Sequence, residues 1–188
     1  MEKDNEKKSY LDDWENMDWN NAEGFAEAGI KHHLENIGLE HLAERGAILD
    51  IGCGDGKLLA ELAKIYPNAR FFGLSSDVEA AKRNNPEAEI RNGQFSSLPF
   101  DNASMDLAIS SRIFDYAEEA KIGLYFQTFK IRELASEIYR VLIPGGLYMP
   151  LELMIDDYFS QEDWSFFNEH FKCLSSISPG QVKILQKC

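Results

Sequence analysis

The stretch from Ala47 to Leu59 constrains this chain more than any other. Ala47-Ile48-Leu49-Asp50-Ile51 is a short apolar run of the kind a buried strand needs, and Gly52, Gly54 and Gly56 follow it at spacing two. An amphipathic helix comes next, with Leu58, Leu59, Leu62, Ala63, Ile65 and Tyr66 on its apolar side and Pro67 beyond its end. Strand, glycine-rich turn and helix together form the opening unit of an α/β fold that binds ligands at its strand ends. The glycines let the backbone turn tightly and let a ligand approach the main chain, and the N–H groups that open the helix can face an anion. Read alone, the glycines are also compatible with a tight turn that holds nothing.

The rest of the chain repeats that unit. Ala69–Leu74 reads as a second strand and Asp77–Asn84 as a helix, with Asp77 as its cap and Pro86 after its end. Ala88–Asn92 reads as a short third strand, Gly93–Phe100 as a loop and Met105–Ser110 as an apolar fourth strand. Ala117–Leu142 carries a long helical pattern, and Pro144-Gly145-Gly146 ends it and launches a fifth strand, Leu147–Leu151. A helix from Gln161 to about Phe171 and two strand-like pieces, Cys173–Ile177 and Val182–Leu185, complete the chain. Alternation of strands and helices at these lengths implies a parallel sheet covered on both faces. Upstream, Ala22–Arg45 reads as helix broken by Gly24, Gly29 and Gly38, and its histidines (His32, His33, His41) read as surface or cap residues rather than a metal set. Residues 1–21 form a polar segment with Tyr10, Trp14 and Trp19 among acids, either a frayed tail or a cap over the cleft, and residues 22–188 read as one domain.

The formal net charge of −13 repels phosphate backbones and argues against DNA or RNA as partner, which leaves a small molecule as the better class. No apolar run is long enough to span a bilayer, and the start of the chain is charged rather than signal-like. Three cysteines (Cys53, Cys173, Cys188) follow no metal or redox spacing, and their odd number points to a reducing, cytoplasmic setting. Nothing in the sequence fixes the oligomeric state.

Four stretches, taken in order, resemble the class I S-adenosylmethionine-dependent methyltransferases. Ile48-Leu49-Asp50-Ile51-Gly52-Cys53-Gly54-Asp55-Gly56 resembles the family's glycine motif, and Leu98-Pro99-Phe100-Asp101-Asn102-Ala103-Ser104-Met105-Asp106-Leu107 its segment leading into the fourth strand. Glu137-Ile138-Tyr139-Arg140-Val141-Leu142-Ile143-Pro144-Gly145-Gly146 resembles its helix and Pro-Gly-Gly turn, and the closing helix and two strands fit its C-terminal hairpin. The resemblance implies a Rossmann-like, doubly wound, mostly parallel seven-stranded sheet with an antiparallel C-terminal hairpin. It also implies S-adenosylmethionine as cofactor and a small-molecule methyl acceptor, with no metal.

Roles follow from the resemblance residue by residue. Asp50 would accept hydrogen bonds from the ligand's ammonium, while Gly52, Cys53, Gly54 and Gly56 would wrap its methionine part, Cys53 through backbone only. Leu74, Ser75 and Ser76 would border the ribose, Gln94 and Phe95 the adenine, and Ser110 the methionine or acceptor. Beyond the fourth strand, Asp115 and Tyr116 are the candidate base or acceptor contacts, with a cap and a core aromatic as the plainer readings. Arg112 is the candidate for an acceptor carboxylate, or else a surface ion pair. Two positions depart from the family pattern: Ser75 stands where an acid usually grips the ribose hydroxyls, and Gln94-Phe95 replace an acid-containing pair. These departures keep open the alternative of a methyltransferase-like binding protein with weakened cofactor affinity. A nicotinamide-dependent oxidoreductase fits less well, because the turn is Gly-x-Gly-x-Gly rather than Gly-x-Gly-x-x-Gly.

Overall fold

The computed structural model describes residues 22–111, 113, 131–151, 161–177 and 182–188. Seven strands form one sheet: β1 (Ala47–Ile51), β2 (Arg70–Leu74), β3 (Glu89–Arg91), β4 (Met105–Ser111), β5 (Leu142–Leu151), β6 (Phe171–Ile177) and β7 (Val182–Lys187). Their order is β3-β2-β1-β4-β5-β7-β6. β1 pairs in parallel with β2 and β4, and β2–β3 and β4–β5 are parallel too. β7 runs antiparallel to both β5 and β6. The sheet is thus Rossmann-like, mostly parallel, with the expected antiparallel hairpin at its C-terminal edge.

All five residues of β1 are buried, which is what a central parallel strand covered on both faces requires. Side chains alternate between two layers. Ile48, Leu107 and Ile109 face one core, shared with Leu59 and Leu62 of the helix Lys57–Ile65 (α4). Ala47, Leu49, Ile51, Ala108 and Tyr148 face the other, shared with Leu134 and Ile138 of α6 (Ile131–Val141) and Phe167 of α7 (Gln161–His170). Between β2 and β3 runs α5 (Val78–Asn84), whose cap Asp77 accepts the Ala80 amide at 2.9 Å.

Three expectations need correction here. Gly24 and Gly29 do not break the N-terminal helical stretch. A short helix α1 (Ala22–Gly24) runs into a π-helix (Phe25–Lys31) and then α2 (His32–Asn36), so Gly24 closes α1 in helical conformation and Gly29 lies inside the wider winding. Gly38, at φ +69°, does end it, and α3 (His41–Glu44) follows. His33 is buried rather than at the surface. The fifth strand also starts earlier than Leu147: Leu142 already pairs with Met105, and the register then jumps to Leu147 opposite Leu107. Pro144-Gly145-Gly146 is therefore an irregularity inside β5, with Gly145 at φ +79°.

Candidate functional site

The site forms where β1 and β2 end side by side, with Ile51 opposite Leu74. The amides of Gly52 and Cys53 both donate to the Leu74 carbonyl, at 3.0 and 2.9 Å, and the Gly56 amide donates to the Cys53 carbonyl at 2.8 Å. Gly52, Gly54 and Gly56 all have positive φ. At Gly56 only glycine fits, since a Cβ there would meet the Ala81 carbonyl oxygen at 2.7 Å, so the first turn of α4 rests directly on α5. At Gly54 the same position has no heavy atom within 4 Å, so this part of the turn faces open space.

Asp50 lies just behind the turn, fully buried, on the α4 side of the sheet. Among the described residues its Oδ1 has no hydrogen-bond partner. Burial, the loss of water around the charged form, pushes the carboxyl up to about 7. Cys53 tucks its sulfur against Gly73, where a Cβ would lie 2.7 Å from Sγ. Burial, aided by the nearby Asp50 charge, pushes this thiol up to about 12, so it is an inert packing group.

Ser75, expected at the ribose, is a brace. Its hydroxyl donates to the Gly54 carbonyl at 2.8 Å and accepts the Asp77 amide at 3.0 Å, so it ties the end of β2 to the glycine turn. Leu74 serves through its carbonyl, with a buried side chain, whereas Ser76 is exposed. Gln94 bridges Ser97 through the backbone, and the Phe95 ring reaches back to the turn, its Cζ 3.8 Å from a Cβ position on Gly52. Ile113 comes closer still, with Cγ2 2.6 Å from that position. It was not singled out from sequence, since a lone isoleucine past a strand end carries no visible signal.

Ser110 neighbours Ile51 in register, and its side chain is fully buried in the opposite layer from Asp50, 2.9 Å from the Tyr148 hydroxyl. Arg112, Asp115 and Tyr116 lie outside the described residues. Among the described residues no group of histidine, cysteine and acid side chains is placed to hold a metal ion, and no helix is long and apolar enough to cross a membrane.

The loop that bears Gln94 and Phe95 is locked from below. Arg140 donates Nε and Nη2 to the Glu137 carboxylate at 2.8 and 2.7 Å, Nη1 to the Phe100 carbonyl at 2.8 Å and to Asn102 Oδ1 at 2.7 Å, and Nη2 also to the Leu98 carbonyl at 2.8 Å. Glu137 accepts the Leu98 amide at 2.7 Å, and the Arg140 guanidinium holds its carboxyl below the usual range. Asp106 completes the scaffold by accepting the Ala47 amide at 2.7 Å, which fixes the start of β1 to β4. The second and third sequence motifs are thus two halves of one latch.

A family model described as "Methyltransferase domain" matches residues 49–149, from β1 through the latch to β5. The chain belongs to the methyltransferase-domain family. It is 31% identical over 144 residues to 24-methylenesterol C-methyltransferase 2 of Arabidopsis thaliana, a match covering 72% of this chain and 36% of that protein. It is also 31% identical over 143 residues to demethylmenaquinone methyltransferase of Symbiobacterium thermophilum, covering 73% of this chain and 55% of that one. The chain therefore spans between about a third and just over half the length of these two curated relatives. Among solved structures, a SAM-dependent methyltransferase from Methanosarcina mazei superposes with a TM-score of 0.57 at 19% identity, over 77% of this chain and 93% of that one, a likeness of fold. Within the methyltransferase-domain frame, the glycine turn and Asp50 sit at the head of the matched region.

Proposed function

We propose that this protein is an S-adenosylmethionine-dependent methyltransferase acting on a small molecule, with residues 22–188 as its single methyltransferase domain behind a polar N-terminal segment. The observation that carries the reading is Asp50, a buried carboxylate whose Oδ1 has no partner among the described residues, beside a glycine turn that, among the same residues, faces open space at Gly54. A buried unpaired carboxylate is costly unless a cation completes it. The ammonium of S-adenosylmethionine is such a cation, so the residues present fit this ligand.

When bound, S-adenosylmethionine supplies a sulfonium-activated methyl carbon open to in-line displacement by an acceptor. The chain's own task is alignment and exclusion of water. Asp50 accepts hydrogen bonds from the ammonium, and the turn at Gly54 gives the amino-acid arm a surface without side chains. Gln94 and Phe95, on a loop held by the Glu137–Arg140 latch, border the adenine. Arg112, Asp115 and Tyr116, which follow the end of β4, are assigned to the acceptor, with Asp115 or Tyr116 as base if the acceptor must lose a proton. The acidic net charge favours a small acceptor over nucleic acid, and unpaired cysteines suit a cytoplasmic setting.

A second reading, a methyltransferase-like binding protein with weakened cofactor affinity, draws on one observation. The Ser75 hydroxyl is engaged within the protein, and Asp77 Oδ1 caps α5. Calorimetric titration with S-adenosylmethionine and S-adenosylhomocysteine separates the two. Micromolar binding that is lost in Asp50→Asn supports the enzyme. Absence of heat and of any thermal shift at millimolar ligand sinks it.

A further inference from the structure

Asn92-Gly93 is the one Asn-Gly pair in the sequence, and it lies where β3 ends beside β2. The Ser75 amide donates to the Arg91 carbonyl at 3.1 Å, so the next rung of this parallel ladder would run from the Gly93 amide to the Ser75 carbonyl. The Asn92 side chain takes that carbonyl instead, donating Nδ2 at 3.2 Å. Among the described residues the Gly93 amide then has no acceptor. Both residues are exposed and lie in irregular backbone. Other asparagines lack this combination. The amides that follow Asn68, Asn84 and Asn102 are bonded to the carbonyls of Tyr66, Ala81 and Arg140, and Asn85 precedes a proline, which has no N–H.

We propose that Asn92-Gly93 is a site of spontaneous deamidation, and that the change loosens the candidate ligand site. The Gly93 nitrogen gives up its proton and attacks Asn92 Cγ, closing a succinimide ring. The Cγ–Nδ2 bond breaks, and the side-chain nitrogen leaves as ammonia with that proton. Water then adds at either ring carbonyl and opens the ring to aspartate or isoaspartate, so one water is consumed, one ammonia is released and nothing is oxidised. Glycine suits the step because no side chain stands over the attacking nitrogen.

The product has no N–H to give, so the Ser75 carbonyl loses its side-chain donor and faces a carboxylate. Isoaspartate also adds a methylene to the main chain just before Gly93, where space is short. A Cβ on Gly93 would lie 2.9 Å from Pro99 Cδ and 3.0 Å from Leu74 Cδ1. Leu74 and Ser75 are the residues that hold the glycine turn, through the Leu74 carbonyl and the Ser75 hydroxyl, and Gln94 and Phe95 follow directly. The effect on binding, though not the chemistry, rests on the reading that the site takes an S-adenosyl ligand.

The test ages the folded full chain in warm, mildly alkaline buffer and maps its peptides by mass spectrometry. Asn92 should gain about one mass unit ahead of every other asparagine, and more slowly in mildly acidic buffer, where the attacking nitrogen keeps its proton. Asn92→Gln should stay unmodified at this position, since its longer side chain closes the ring poorly. The aged form carries one more negative charge and can be separated by ion exchange. Its affinity for S-adenosylhomocysteine, read by calorimetry, should be weaker than that of the fresh chain by about five- to tenfold, the worth of a lost hydrogen bond or two. Aged Asn92→Gln should bind as its own fresh sample does. Conversion at Asn92 no faster than at Asn102 overturns the deamidation site, and a modified chain with full affinity overturns its effect on binding. A fresh wild type that binds no S-adenosylhomocysteine sinks the functional reading and the binding effect with it, while the mass map still decides the chemistry.

Discussion

At Glu137 both carboxylate oxygens are engaged, one by Arg140 Nε and the other by Arg140 Nη2 and the Leu98 amide, whereas at Asp50 Oδ1 meets no donor among the described residues. The consequence shows in the protonation of the two groups. Glu137 is held below the ordinary carboxylate range by its guanidinium, and Asp50 is pushed up to about 7 by burial. A satisfied carboxylate is one the fold uses for itself. An unsatisfied one is a vacancy in the electrostatics that a ligand can fill, and the chain keeps both kinds within one domain, Asp50 near the carboxyl end of β1 and Glu137 near the start of β5.

The largest effect that tests this contrast is on the satisfied side. Arg140→Ala strips Glu137 of its guanidinium partner, leaves the Phe100 carbonyl without its Arg140 donor and the Leu98 carbonyl with the Phe100 amide alone, and should cost about 2–4 kcal/mol in chemical denaturation. If stability barely changes, the latch is decoration and the contrast breaks. On the unsatisfied side, Asp50→Asn should leave stability at pH 8 no lower than that of the wild type, while S-adenosylhomocysteine binding weakens by about 1.5–3 kcal/mol, the worth of a hydrogen bond to a charged group.

The same carboxylate sets a pH dependence. Because its folded value is raised above the ordinary 3.8, the folded state binds the proton more tightly than the unfolded chain. Asp50's contribution to stability is full below that ordinary value, declines as pH rises, and is gone above about 7. Ligand affinity runs the other way and rises toward pH 7 as the carboxylate ionises. Denaturation and titration across pH 5–8 should show opposite slopes, both flattened in Asp50→Asn. The smallest effect sharpens the comparison: Ser75→Ala removes the hydroxyl that ties Gly54 to Asp77, and should cost about 1–2 kcal/mol of stability with little change in ligand selectivity. A large loss of binding with intact stability would return Ser75 to the ligand side.

Much of this was legible in the chain. A buried strand, three glycines and an amphipathic helix leave few alternatives, and β1 to β4 fall within a residue or two of their expected bounds. What escaped depends on contacts between residues distant in sequence. That Ser75 bonds to Gly54, or that Asp106 holds the Ala47 amide, needs the sheet to be assembled first. The layer that Ser110 faces was not legible either, because a strand-end serine looks the same in both, and the alternation that sends it to Tyr148 is visible only once Asp50 is registered against Ile109. Gly24 and Gly29 misled for a local reason: Gly24 stays helical at the junction of α1 with the π-helix, and Gly29 lies within the π-helix itself. Ile113 left no trace in sequence because its contact with Gly52 exists only once the turn and the end of β4 are folded together.

The tucked sulfur of Cys53 has a practical side. It sits in the middle of the ligand turn, yet it is buried, protonated at any physiological pH and packed on Gly73, whereas Cys173 and Cys188 are exposed on the antiparallel hairpin at the sheet's other end. Thiol-directed reagents will therefore discriminate between these positions without any mutation. A maleimide dye or spin label added at neutral pH should attach to the hairpin and spare the turn, so the native chain already carries reporter handles far from the site whose occupancy they would be used to follow.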